Sequence, residues 1–487
     1  MNMNERDAGG AQGQTPGGNM GEGDPGMPVF KPSDAAPGTP PSPSWEPGVV
    51  EVQFREGVRP EVQVAEADAP PQISSPTEAD LTPLNRILRQ HRLREVETTF
   101  ETSPESAEAA QTVAQRRGIE TPNLRHFVTL RFPTDAEVRR IAQELNELED
   151  VEQAAPVPRA VPPQTPLNEP RVGMGDQVVV DPASNLENQW YIFRCRANDA
   201  WGMSSGRRVV IADIDWGYRT THRDLAPRLD LSHAYNSFDG GTNVSHGTSV
   251  SHGTAVLGLA GAADNDLGMA GFAFRATLWP IQANSGPGTA LGGNAWARAI
   301  DWVRTANSGG RRKVIILEVQ TGAFGNYEQV LSVNAAIRTA IANGVVVCVA
   351  AGNGDRDAGL DDVGDPIRET GSILVGATAY HATENRRAGF SNYGARVTVS
   401  APGDPSHDLT CSTASDTGYM NSFGGTSGAT PKVAATAALM LAVDPTLTHK
   451  EIRTILRDTG SAVITDSKKP VGTLLNSRAA VRTARLD

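Results

Sequence analysis

The chain has 487 residues, a formal net charge of −12 and an isoelectric point near 5.3. That length exceeds one average domain and leaves room for a large buried core with a smaller companion. The acidic balance excludes the clustered basic face that neutralises nucleic-acid phosphates.

The first 45 residues are rich in Gly, Pro, Ser and Asp with almost no periodic apolar content. Such a segment cannot bury enough surface to offset the entropy of ordering, so 1–45 is expected to be a disordered tail. It holds neither a basic stretch leading into an apolar one nor an 18-residue apolar run. No Sec signal and no membrane span are therefore expected, which points to a cytoplasmic location or non-classical export.

From Val49 the pattern changes. Val50, Val52 and Phe54 alternate as a strand, and Leu84, Ile87 and Leu88 recur at helical spacing. Val128, Leu130 and Phe132 give another strand. Val138, Ile141, Ala142, Leu145 and Leu148 form a helical stripe, with Thr134 and Glu137 placed for a capping box. Residues 151–157 close the unit, so 46–160 reads as a small α+β domain with helices on one sheet. A Pro-rich stretch from Pro156 to Pro170 is unlike a helix, and 161–184 is expected to be a linker open to cleavage.

Beyond it, residues 185–487 alternate apolar runs with amphipathic or Ala-rich helices. Strands are expected at 209–214, 277–281, 314–319, 345–349 and 373–375. This alternation predicts an α/β domain, a three-layer mainly parallel sheet with helices on both faces and functional groups at strand ends. Cys195, Cys348 and Cys411 are odd in number and far apart, and read as buried thiols rather than a zinc site or disulfide framework.

Three polar residues stand out at element ends. Asp215 closes an apolar strand, with Gly217 freeing the turn after it. His252 opens a helix of small residues, with Gly258 six positions on; an earlier His246-Gly-Thr copies the tripeptide but lacks that glycine. Ser427 lies between Gly425 and a helix-like run from Lys432 to Leu441, with Pro431 expected in the first turn. A serine there gains backbone N–H donors and positive potential for a developing oxyanion. Asp213 shares the strand face of Asp215; it either raises its neighbour's pKa or is hydrogen-bonded elsewhere.

In the order Asp, His, Ser these motifs, together with His222-Arg-Asp224-Leu, Ala351-Gly-Asn353, Phe390–Gly394 and Ala401-Pro-Gly403, resemble the subtilisin-like serine peptidases over roughly 185–487. The resemblance implies an endopeptidase acting on protein or peptide substrates, with Ser427 as nucleophile, His252 as general base and acid, and Asp215 orienting the imidazole. It implies an oxyanion role for Asn353, which as a lone residue reads equally as a turn former. It places Glu318, Val319, Gln320, Ala351 and Gly352 along the substrate path, although Glu318-Val-Gln320 departs from the family's Ser-Leu-Gly. A structural Ca²⁺ ion is implied at Asp224 and Asn265, with the carbonyls of Ala263, Leu267 and Met269; catalysis needs no cofactor.

The 46–160 domain resembles the family's ferredoxin-like propeptide, which implies a self-processing zymogen whose N-terminal domain acts as intramolecular inhibitor and folding aid. Cleavage is expected after Arg159, because Glu318 and the acidic run Asp355, Asp357, Asp361, Asp362 and Asp365 favour a basic side chain. Two rivals differ in kind. A binding pseudoenzyme would lack a triad member, and none is missing. A sedolisin-like enzyme would use Glu and Asp in place of His, against which the His252 and Asn353 motifs argue.

Overall fold

The structure, a computed structural model, describes residues 44–63, 71–77, 79–161, 189–245, 250–265, 268–283, 293–381, 383–405, 408–413 and 415–486. The expected tail and most of the expected linker lie outside the described residues, as does His246.

The N-terminal unit is a four-stranded antiparallel sheet. In spatial order its strands are Glu95–Thr98, Phe127–Arg131, Trp45–Phe54 and Val151–Pro158. Numbered along the chain, that order is 2-3-1-4, the ferredoxin-like split arrangement. Helices Thr82–Gln90 and Val138–Asn146 follow the first and third strands. Val50, Val52, Leu84, Leu88, Val128, Leu130, Ile141 and Leu145 meet in one core, so the alternating and helical stripes are the packed faces.

One local expectation fails here. Glu137 is the cap residue of the Val138–Asn146 helix and makes no capping bond; a box with Thr134 would need it three residues inside the helix. Pro156 and Pro158, at the head of the Pro-rich stretch, belong to the last strand. That strand is at the sheet edge, where a missing N–H is tolerated.

The second unit is built on a nine-stranded sheet among the described residues. Its central strands Ile373–Ala379, Val346–Ala350, Arg312–Leu317, Val209–Asp215 and Thr277–Gln282 are all parallel. Short strands at Val399–Pro402, Tyr235–Asn236 and Thr473–Leu474 extend it in the same sense, and only Arg386–Arg387 pairs antiparallel. Each central strand alternates its side chains between two cores. Val209, Ile211, Val314 and Ile316 pack with helices Val250–Gly261 and Thr426–Val443. Val210, Ala212, Ile315 and Leu317 pack with helices Gly293–Thr305 and Leu331–Ala342 on the other face. The three-layer architecture follows, and all three cysteines are buried free thiols.

The N-terminal sheet lies against that second pair of helices. Phe100, Leu124 and Phe127 join the core built by Trp296, Ile300, Val333 and Ile337. Arg298 donates to the carbonyls of Thr98 and Thr99, and Arg117 to that of Ala342. Glu51, on the sheet face turned away from Val50 and Val52, is buried and accepts from the N–H and hydroxyl of Ser332 in the first turn of Leu331–Ala342.

Candidate active site

Asp215 is the last residue of its strand and Val209, Ile211 and Asp213 precede it on the same side. Alternation therefore aims its carboxyl at the layer holding the Val250–Gly261 and Thr426–Val443 helices. His252 stands in the first turn of one, Ser427 in the first turn of the other.

The three side chains meet. His252 Nδ1 lies 2.6 Å from Asp215 Oδ2 and His252 Nε2 lies 3.1 Å from Ser427 Oγ. All are buried, and Asp215 Oδ1 accepts the Trp216 N–H at 2.6 Å. Burial pushes the Asp215 carboxyl above the ordinary range, while His252 and the Trp216 N–H pull it back. Trp216 and Phe423 meet the imidazole edge-on, at 5.6 and 5.3 Å between ring centres. Neither ring was singled out by the sequence, although both are neighbours of the motifs.

Small residues allow this convergence. Gly425, at φ +77°, turns the chain into the serine helix. A Cβ at Gly258 would come within 2.6 Å of Thr410 Oγ1, so only glycine lets the histidine helix pack against the Asp408–Cys411 strand. The serine helix starts at Thr426 rather than near Lys432. Pro431 consequently sits inside it, one turn beyond the serine, and cannot donate to the Ser427 carbonyl four residues back.

Asn353 is buried beside this helix. Its Oδ1 accepts both the N–H and the hydroxyl of Thr426, each at 3.0 Å, and the Gly352 N–H donates to the same hydroxyl at 3.3 Å. The amide is thus fixed by its oxygen, which directs its N–H end away from Thr426.

The expected substrate path divides. Gln320 and Thr321 form a short strand that pairs antiparallel with Ala160–Val161, Gln320 opposite Val161. Gln320 also accepts the Asn353 N–H at 2.9 Å, while Ala351 and Gly352 are buried next to it. The Val319 side chain belongs to the core on the opposite face, and Glu318 is wholly buried on the serine side.

Two carboxylates of the acidic run are already paired with cations, Asp355 with Lys469 and Arg387, and Asp362 with Arg356. The Arg159 carbonyl accepts the Gly322 N–H. In an antiparallel pair, moving from Gly322 back to Gln320 carries the partner chain forward from Arg159 to Val161. Arg159 therefore lies beside Gly322, and Val161, two residues on, is the residue opposite Gln320.

Asp213 is not hydrogen-bonded away through its carboxyl. Neither oxygen has a partner among the described residues, and the Tyr218 hydroxyl reaches the Asp213 backbone carbonyl instead. Burial and the nearby Asp215 charge push this carboxyl well up.

The Asp224 carboxylate, expected to hold calcium, is engaged by donors instead. Asp224 is buried, but its carboxylate accepts from the Tyr419 hydroxyl at 2.7 Å, the Met269 N–H at 3.1 Å and the Asn265 amide at 3.3 Å, with the Arg223 guanidinium at 3.8 Å. Calcium needs oxygen acceptors converging on one point, whereas here donors and a cation converge on the carboxylate. The Met269 N–H is one of those donors, and Leu267 lies outside the described residues.

Comparison with known proteins is concordant. Residues 206–478 match the model of the subtilase family (Peptidase_S8). Subtilisin NAT of Bacillus subtilis subsp. natto is 31% identical over 262 residues, 53% of this chain and 61% of that protein. The chain thus spans less than two thirds of that relative. Alkaline elastase YaB of Bacillus sp. (strain YaB) is 33% identical over 296 residues, 60% of this chain and 70% of that protein. The crystal structure of fervidolysin from Fervidobacterium pennivorans superposes with a TM-score of 0.57 at 19% identity, covering 90% of this chain and 61% of that one. At that identity the likeness speaks for the fold alone.

Proposed function

The chain belongs to the subtilase family, and from that premise we propose that it is a serine endopeptidase, made as a zymogen whose N-terminal domain of about residues 46–160 occupies its own cleft. The observation that carries this reading is the imidazole of His252 held between Asp215 and Ser427 at 2.6 and 3.1 Å.

Ser427 Oγ attacks the carbonyl carbon of the scissile bond as its proton passes to His252 Nε2. Asp215, ionised and bonded to Nδ1, fixes the ring and stabilises the imidazolium. The oxyanion forms at the start of the Thr426–Val443 helix, where first-turn N–H groups and the helix dipole favour negative charge, with the Asn353 amide as second donor. The imidazolium then gives its proton to the leaving amine, and water repeats the sequence on the acyl-enzyme. The substrate strand adds to Gln320–Thr321, as Ala160–Val161 does. The docked sheet, the Glu51 contact and that strand pairing support the N-terminal domain as inhibitor.

The test is hydrolysis of a denatured protein substrate by wild type and by Ser427→Ala. Turnover should fall about 10⁶-fold, the scale of such losses in subtilisin itself. Equal activity in the two proteins would refute the proposal.

A further inference from the structure

Glu318 follows the Arg312–Leu317 strand, and the alternation that turns Val314 and Ile316 toward the serine helix turns Glu318 the same way. The register pairing Ile316 with Asp213 brings Glu318, two residues on, level with Asp215. The carboxyl is fully buried, and neither oxygen has a hydrogen-bond partner among the described residues. The groups facing it are Asp213 and Asp215 from the neighbouring strand, Ser427 and Lys432 from the serine helix, and Cys348 from the Val346–Ala350 strand. His252 Nε2 lies 3.1 Å from the same Ser427 hydroxyl. Lys432 is committed elsewhere, to Asp408 and the Pro402 carbonyl.

Resting on the peptidase reading above, we infer that Glu318 is a positioning residue that gates the nucleophile. Neutral, it leaves the Ser427 hydroxyl proton to His252; ionised, it competes for that proton and sets a second negative charge beside the developing oxyanion.

Three carboxyls share this pocket, and only Asp215 has the imidazole to balance it. Ionising a second one beside it in the buried interior is strongly unfavourable. Burial first, then the Asp213 and Asp215 charges, push the Glu318 carboxyl well up, and the Ser427 hydroxyl is placed to bond the ionised form. Glu318 therefore holds its proton well above the ordinary carboxylate range. As pH rises through its ionisation, Ser427 loses its alignment to Nε2. Activity accordingly has an alkaline limb that belongs to Glu318, moved further up by the Asp213 charge.

The test is kcat/KM against pH for wild type, Glu318→Gln and Glu318→Met on one peptide substrate. Wild type should fall about tenfold per pH unit past the ionisation, and both variants should lose that limb. Met, which cannot hydrogen-bond to the serine as Gln can, should also lower kcat on the plateau. An active wild type whose limb survives unchanged in both variants overturns the gate. A wild type inert toward substrate and toward a fluorophosphonate refutes the peptidase reading itself. Should the variants fail to fold, infrared spectroscopy of wild type and Asp213→Asn decides: a protonated-carboxyl band should disappear in step with activity. A band that persists past the limb overturns the gate.

Discussion

Thr426 offers the sharpest probe of how the oxyanion donor is held. Its hydroxyl donates to Asn353 Oδ1 at 3.0 Å and accepts the Gly352 N–H at 3.3 Å. Thr426→Val keeps the volume and the backbone N–H anchor but removes both hydroxyl contacts. One net hydrogen bond is worth about 0.5–1.5 kcal/mol, which corresponds to about a 2–12-fold loss in kcat if the amide alone loosens. Asn353→Ala should cost about 10²–10³ in kcat, the range known for this donor in subtilisin. If Thr426 acts through Asn353, the double variant is no slower than Asn353→Ala to within about twofold, whereas independent action multiplies the two losses. Steady-state kinetics on a peptide substrate reads all four proteins. Full additivity, or a Thr426→Val effect confined to KM, would refute the argument. The buried Gly352 N–H left without its acceptor should also lower stability by about 1–3 kcal/mol in a denaturant titration.

Further outcomes follow from the contacts around the site. If the zymogen processes itself, N-terminal sequencing of the mature protein should find its first residue beyond Val161; a terminus at Ala160 would contradict the strand register. Glu51→Ala deprives the buried Ser332 donors of their acceptor, about 1–3 kcal/mol for each. The cleaved N-terminal domain should then leave at least tenfold faster in a stopped-flow release assay, and an unchanged rate would remove Glu51 from the interface energetics. Calcium should not raise Tm through Asp224, because its carboxylate is already filled by Tyr419, Met269 and Asn265. A rise of several degrees that Asp224→Asn abolishes would overturn that.

Much of this molecule was legible because its signals are short-range. Asp215, His252, Asn353 and Ser427 each sit in a motif of small residues that marks a strand end or helix start, and the alternation at 209–214 already places Asp213 and Asp215 on one face. What escaped depends on distant partners. Glu318 looked like a pocket residue because its orientation is set by register with a strand a hundred residues earlier in the chain. Tyr419 caps Asp224 from 195 residues away, so competition with calcium had no local trace. The pairing of Ala160–Val161 with Gln320–Thr321 likewise joins segments 160 residues apart and had no local trace. The start of the serine helix was missed differently: its residues from Thr426 to Leu441 are all buried, so no polar face marks the first turn.

The central claim is that Ser427 is a nucleophile activated by His252. Its most direct test is peptide mass spectrometry of the full chain after reaction with a fluorophosphonate, alongside His252→Ala. The phosphonyl group should sit on Ser427 alone, and the rate of its attachment should fall by several orders of magnitude in the variant. Attachment at another residue, or at the same rate without the imidazole, would contradict the account.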